Sequence, residues 1–280
     1  MTVISLTSIP PRFDLLQSTL DSLVKQDIEI REIRVNIPKS YKRFPEGSFS
    51  LPTTPEGVKV VEVEQDLGPA TKLLPALNDC RSTDEPIIYC DDDRTVSEKW
   101  ARNLIDAAHK HPKHCIANSG WDIVNLGFAP KYDARFSKRA VQLSSRWDLP
   151  YRAQRLEQKI REFRLGQKLP KPYRTRNYRR TGYIDIMEGC GGVLVRPSFF
   201  SSDVFSVPEK LWMVDDIWLS GMAAHNGIPI LANNGYMPRE LADAMDDALC
   251  DSTIEGLNRQ QANVECVRFM QREYGIWETE

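Results

Sequence analysis

A single α/β domain built on a mixed, mostly parallel sheet is the fold this sequence predicts, and two observations predict it. Short β-branched runs alternate with longer helical patterns through the first 120 residues, as chained βαβ units require. One of those runs, IIYC, then ends in three consecutive aspartates, where open α/β sheets present side chains to ligands at their carboxyl edge.

The elements follow in order. VISLT (3–7), IRVNI (33–37), VKVVEV (58–63) and PIIYC (86–90) read as strands. Between the first two, Phe13 to Gln26 places Leu15, Leu16, Leu20, Leu23 and Val24 at helical spacing. A proline-bounded loop occupies 38–57, and helices are expected over Pro69 to Cys80 and Ser97 to Lys110, with Ser97 as the N-cap. Tyr151 to Leu165 reads as a helix closed by Gly166, and Tyr183 to Met187 and Gly192 to Val195 as strands around EGCGG. A helix over Asp215 to Asn226, a strand IPILA (228–232) and a final helix over Thr253 to Tyr274 complete the chain.

The 280 residues are 41% hydrophobic and 27% charged, an ordinary globular composition. With 37 Lys+Arg against 39 Asp+Glu the net charge is −2, which excludes the overall basicity of a generic nucleic-acid binder. The total conceals a local excess: residues 131–180 hold 16 Lys+Arg against four Asp+Glu, a net of +12, leaving −14 elsewhere. This stretch reads as a basic helical insertion ending in the loop RTRNYRR, or as a solvated helix and loop. There is no run of 18 apolar residues and no leader-like start, so a cytoplasmic protein is expected. Its six scattered cysteines are expected to be reduced.

Four segments can carry chemistry. In IIYCDDDRTV, Asp91, Asp92 and Asp93 would repel one another at a sheet edge unless a cation neutralised them, and Mg2+ or Mn2+ suits such hard oxygen donors; an acidic cap on the next helix is the alternative. In LWMVDDIW, Asp215 and Asp216 lie near Trp212 and Trp218, surroundings that raise a carboxylate pKa toward proton-accepting duty; a helix cap is the alternative. GCGGVLVRP offers Gly189, Gly191 and Gly192 for close backbone approach to a ligand, or for a packing corner. In DLGPATKLLPAL, Lys72 sits one turn into a helix begun by Pro69, within reach of a phosphate or simply on the surface.

In this order, VISLTSIPPRF, YCDDDRTV, GCGG and VDDIW resemble the GT-A class of nucleotide-sugar-dependent glycosyltransferases, of the family 2-like bacterial type. The resemblance covers roughly 1–130 and 183–235. It implies a Rossmann-like GT-A domain over 1–280, with a nucleotide-sugar-binding half (1–120), the basic insertion (131–180) and an acceptor-side half with the C-terminal helix (183–280). By the same resemblance Thr7, Ser8, Arg12, Lys72, Asp91 and Asp92 contact the nucleotide, and Asp93 with Asp91 holds Mn2+ or Mg2+. Asp216, or Asp215, serves the acceptor hydroxyl, while Gly191, Gly192 and Trp212 line the acceptor side; Arg179 and Arg180, in a segment with no counterpart in the shared core, are expected on the acceptor side from their charge alone. The implied reaction moves a sugar from a UDP-sugar donor to a glycan or lipid-linked acceptor in polysaccharide biosynthesis. The basic insertion adds an expectation of an anionic acceptor and peripheral association with the inner membrane face, with no nucleic-acid partner.

The sequence departs from that family in its Asp-Asp pair, which replaces Glu-Asp, and in His225, which lies too close behind the pair to complete a metal shell. A sugar nucleotidyltransferase is the second reading, although the loop TSIPPRF lacks the glycines such enzymes carry. A polyanion-binding module centred on RTRNYRR is the third.

Overall fold

The computed structural model describes residues 1–45, 49–144, 146–169, 178–234, 239–240 and 259–279. Its strands are β1 (Val3–Thr7), β2 (Glu32–Pro38), β3 (Val58–Val63), β4 (Ile87–Tyr89), β5 (Arg94–Thr95), β6 (Cys115–Ala117), β7 (Gly120–Trp121), β8 (Val141–Gln142), β9 (Tyr178–Arg180), β10 (Gly182–Ile184), β11 (Ile186–Met187), β12 (Val193–Val195), β13 (Ile230–Ala232) and β14 (Arg239–Glu240). Its α-helices are α1 (Leu16–Val24), α2 (Leu74–Asp79), α3 (Trp100–Lys110), α4 (Leu149–Leu165), α5 (Asp215–His225) and α6 (Arg259–Tyr274).

Eight strands form the central sheet in the order β10-β13-β6-β12-β4-β1-β2-β3. The run β4-β1-β2-β3 is parallel, as is β13 with β6. β12 runs antiparallel between β4 and β6, and β10 runs antiparallel to β13. The result is the mixed, mostly parallel α/β sheet expected.

Both faces of the sheet's interior are covered, so β1, β4, β6 and β12 are buried on both sides, while the edge strand β3 alternates apolar and exposed residues. Ile4, Leu6, Ile88, Ile116 and Leu194 point to one face, where Leu16, Leu20 and Leu23 of α1 and Trp100, Leu104 and Ile105 of α3 pack on them. Val3, Ile87, Tyr89, Val193 and Val195 point to the other, against Leu74 and Leu77 of α2, Ile217, Trp218 and Met222 of α5, and Val267 and Met270 of α6.

Several element ends differ from expectation. The first expected helix is opened by a 3-10 turn, Pro10–Leu15, whose two leading prolines occupy positions where a helix leaves its N–H groups unpaired, and α1 follows from Leu16. The helix expected from Pro69 is likewise a 3-10 turn, Gly68–Lys72, followed by the short α2. Ser97 does not cap α3 through its hydroxyl. Instead Gln26, beyond the end of α1, accepts from the Ala101 N–H at 2.8 Å and donates to the Ser97 carbonyl at 3.0 Å. α6 begins at Arg259; residues 253–258 of the expected last helix lie outside the described residues.

The insertion is a β8–β9 antiparallel pair carrying α4. It is tied to β7, which pairs with β11 outside the central sheet, by Tyr178, whose hydroxyl donates to the Gly120 carbonyl at 2.6 Å. Arg139 is clamped between Asp122 and Asp185, the latter at 2.7 Å, beneath the Tyr132 ring.

Gly192 leads into β12 with φ +86°, and a Cβ there would overlap the Trp100 indole. Gly192→Ala is therefore expected to cost about 3 kcal/mol, as strain plus overpacking, measured by denaturant unfolding.

Candidate active site

The site lies beyond the carboxyl ends of β1 and β4, where the parallel strands hand the chain to loops. Each of the three aspartates after β4 meets a cation or donor of the protein itself. Asp92 accepts from Ser8 Oγ at 2.5 Å and from Arg12 Nη1 at 3.0 Å, and Thr19 Oγ1 donates to its backbone carbonyl at 2.8 Å. Asp93 accepts from Arg94 Nε at 3.0 Å and lies 3.7 Å from Arg12. Asp91 Oδ1 is 2.5 Å from Lys72 Nζ. The chain's own cations offset the acidic cluster in part: Arg12, Arg94 and Lys72 face Asp91, Asp92 and Asp93, but Lys72 is shared with Asp215, so the site keeps an excess of carboxylate.

The first strand supplies the frame. Ser8 is buried, and its carbonyl accepts from the Tyr41 hydroxyl at 2.8 Å, fixing the loop that carries Arg12. Thr7 donates to the Asn36 carbonyl at 2.7 Å.

Lys72 is 5% exposed, neither a surface lysine nor open to solvent. Its ammonium bridges Asp91 and, at 3.0 Å, Asp215 Oδ2, joining the β4 end to the start of α5. Asp215 is 2% exposed, and its Oδ2 has ion-pair proximity to Lys72 without hydrogen-bond geometry. Burial alone would lower the Lys72 pKa, but Asp215, Asp91 and Asp216 outweigh it and hold the amine firmly protonated.

Asp216 is partly buried and accepts from the Gly189 N–H at 3.2 Å. Its pKa is raised well above the ordinary carboxylate value, first by burial and then by Asp215, with Lys72 opposing. Asp92 and Asp93 are raised too, chiefly by burial, and Arg12 opposes the shift in both.

The glycine loop reaches the site at Gly189, where a Cβ would lie 2.7 Å from both Asp91 Oδ1 and Lys72 Nζ. Gly191 and Gly192 lie deeper, against Ser119 and Trp100, and the Gly191 carbonyl accepts from the Trp100 indole at 2.9 Å. Trp212 is 8% exposed; its indole donates to the Asp66 carbonyl at 3.2 Å and its ring sits under Lys42. Arg179 and Arg180 are exposed on β9, while Arg176 lies outside the described residues. His225 is exposed at the end of α5 against the Tyr274 ring, 5.0 Å between centroids.

Sequence reading missed the second tier of this site. Ser5 Oγ donates to the Lys72 carbonyl at 2.6 Å, and Asn36 Nδ2 donates to Ser5 Oγ at 2.9 Å and to the Thr71 carbonyl at 3.1 Å. Tyr89, at the end of β4, is fully buried with its hydroxyl unpartnered, and the charges of Asp216, Lys72 and Asp215 act on it. A polar residue inside a buried apolar strand, as in VISLT and IRVNI, was the available signal.

Two carboxylates with hard oxygens, Asp91 and Asp93, remain partly exposed, at 31% and 19% of the side chain. Among the described residues no three His, Cys, Asp or Glu side chains converge into a closed metal cage. The donor set fits the open kind of Mg2+ or Mn2+ site, in which one or two carboxylates are completed by substrate phosphates. The five described cysteines are free, and Cys250 lies outside the described residues. No described helix is long and apolar enough to cross a membrane.

No protein-family model matches the chain, and no curated protein does. Among solved structures it is similar to residues 1–349 of TarS from S. aureus, at 13% identity and a TM-score of 0.42, covering 84% of this chain and 58% of that one. It is similar to a longer TarS structure at 13% identity and a TM-score of 0.47, covering 100% and 40%. GalNAc-T7, solved with UDP, GalNAc and Mn2+, is matched at 15% identity and a TM-score of 0.48, covering 98% and 49%. The chain thus spans roughly half the length of the structures it matches.

Two outcomes test this geometry. Because its folded pKa is raised, Asp216 binds more protons folded than unfolded, and its ionisation costs stability as pH rises above the carboxylate range. Asp216→Asn should raise Tm by about 3 °C at pH 7 in chelator-treated buffer, a gain that vanishes below about pH 4. Lys72→Met, by contrast, strands buried Asp215 beside Asp91 and should cost about 3 kcal/mol in denaturant unfolding at pH 7.

Proposed function

We propose that this chain is a nucleotide-sugar-dependent glycosyltransferase of GT-A architecture, acting on a hydroxyl acceptor. One observation carries the reading: the acidic strand end, Lys72, the glycine loop and the acidic helix start, far apart in sequence, meet around a single ammonium group.

In this reading the carboxyl edge of β1 and β4 receives the nucleoside diphosphate, with uridine as the base that the sequence resemblance implies. Thr7 and Ser8 line it, and Arg12, already fixed on Asp92, adds positive charge toward the phosphates. Asp91 and Asp93 would hold Mn2+ or Mg2+, which when bound stabilises negative charge on the departing diphosphate. Lys72 contributes a second, permanent positive charge beside Asp91 at no reorganisation cost.

Asp216 takes the acceptor proton. Its raised pKa makes it a stronger base than an exposed carboxylate, and the Gly189 N–H holds one of its oxygens in place. Asp215 shares Lys72 with Asp91 and so sets where Asp216 stands, a positioning role. The acceptor is a glycan or lipid-linked hydroxyl of anionic character, approached from the side where β9 exposes Arg179 and Arg180.

Thermal unfolding with a panel of nucleoside diphosphates, with and without manganese, tests the donor site. One diphosphate at about 100 times its Kd should stabilise the wild type by about 2.7 kcal/mol, and the Asp91→Ala/Asp93→Ala variant should lose that shift. No shift with any nucleotide would sink the reading. Release of pyrophosphate from a nucleoside triphosphate and a sugar phosphate would replace it with the nucleotidyltransferase.

A further inference from the structure

Helix α4 is amphipathic the wrong way round. Leu149, Ala153, Leu156, Ile160 and Phe163 recur at steps of four and three and so form one stripe along the helix. That stripe faces outward: Leu149 is 70% exposed, Leu156 62%, Ile160 46% and Phe163 90%. Trp147, just before the helix, is 74% exposed. The opposite side is polar and turned inward, with Gln158 buried and Tyr151, Arg155 and Glu162 half-buried. Gln158 donates to the Leu169 carbonyl at 2.8 Å, and Glu162 accepts from the Leu169 N–H at 3.0 Å. A helix stabilised by its host alone would show the reverse arrangement.

Charge says what the stripe meets. Arg152 and Lys159 flank it on one side and Arg164, beside Glu157, on the other, all exposed, with Arg146 and Lys168 beyond the helix ends, so cations predominate along its border. Long cationic side chains beside an exposed apolar band suit a surface that is apolar inside and anionic outside. A second copy of the chain would bring the same cations face to face with these.

We propose that α4, with Trp147, is a docking element for an anionic lipid bilayer. The helix lies in the plane of the surface, its stripe of about 21 Å sunk among the acyl chains and its flanking cations at the headgroups. Trp147 and Phe163 mark the two ends of the inserted band. This inference does not depend on the transferase reading, because it rests on the exposure and charge of α4 alone.

Vesicle co-sedimentation of the full chain tests it. Vesicles of phosphatidylcholine with phosphatidylglycerol should retain the protein, and phosphatidylcholine alone should retain it about tenfold more weakly or worse. Leu156→Glu/Phe163→Glu should abolish retention, and Arg152→Gln/Lys159→Gln/Arg164→Gln should weaken it about tenfold. Both substitute exposed positions, and an unchanged Tm establishes that each variant is folded. Retention that survives Leu156→Glu/Phe163→Glu would overturn the proposal, since the contact would then lie elsewhere. So would no retention of the wild type, or a concentration-dependent dimer dispersed by Leu156→Glu/Phe163→Glu.

Discussion

The buried ammonium of Lys72 is the constraint on which the site depends. A charge at 5% exposure must be paired, and here its partners come from two distant segments: Asp91 after β4 and Asp215 at the head of α5. Satisfying the one cation therefore fixes the strand end against the helix start. Behind it, Ser5 and Asn36 hold the carbonyls of Lys72 and Thr71, so the lysine arrives on a backbone anchored to β1 and β2. In front, Gly189 is bare of any side chain because the Lys72–Asp91 pair occupies the space a Cβ would take. The fold itself thus holds these carboxylates in place, as the proposed transfer requires of a preorganised site.

The central sheet's parallel half was legible in the sequence because β1, β2 and β4 are largely buried and, with the alternating edge strand β3, carry β-branched runs long enough to stand out. β6 was not, since His114-Cys115-Ile116-Ala117-Asn118 offers three apolar residues and no alternation, too little to separate a strand from a loop. Yet β6 lies in the sheet's interior. The antiparallel placement of β12 was equally hidden, because strand direction depends on which neighbours a strand finds, not on its own residues. Gln26 as the partner of the first turn of α3 could not be read either: it lies 75 residues from Ala101, and Ser97 offered a local hydroxyl for the cap.

The candidate site was legible as chemistry more than as geometry. The clusters Asp91–Asp93 and Asp215–Asp216 announced themselves by placing like charges together, and the structure adds the reason they persist, in Arg12, Arg94 and Lys72. In the insertion, the count of +12 says nothing of how the charges are distributed. Part of that charge is spent locally, Arg139 on Asp122 and Asp185 and Arg135 on Asp133, while the unspent cations of α4 border an apolar stripe whose outward orientation only three dimensions reveal.

The antiparallel strand between β4 and β6 bears on the order in which the protein assembles during synthesis. β1 to β4 neighbour one another and come from the first 89 residues, so that ladder can close early. β6 follows within 30 residues, but its two neighbours, β12 and β13, end at residues 195 and 232. Until they emerge, the edge of β4 and both edges of β6 stay open, and the whole basic insertion must be translated before the gap is filled. A nascent chain halted inside the insertion therefore carries a half-built sheet with its inner edges bare, the state most exposed to mispairing and chaperone capture.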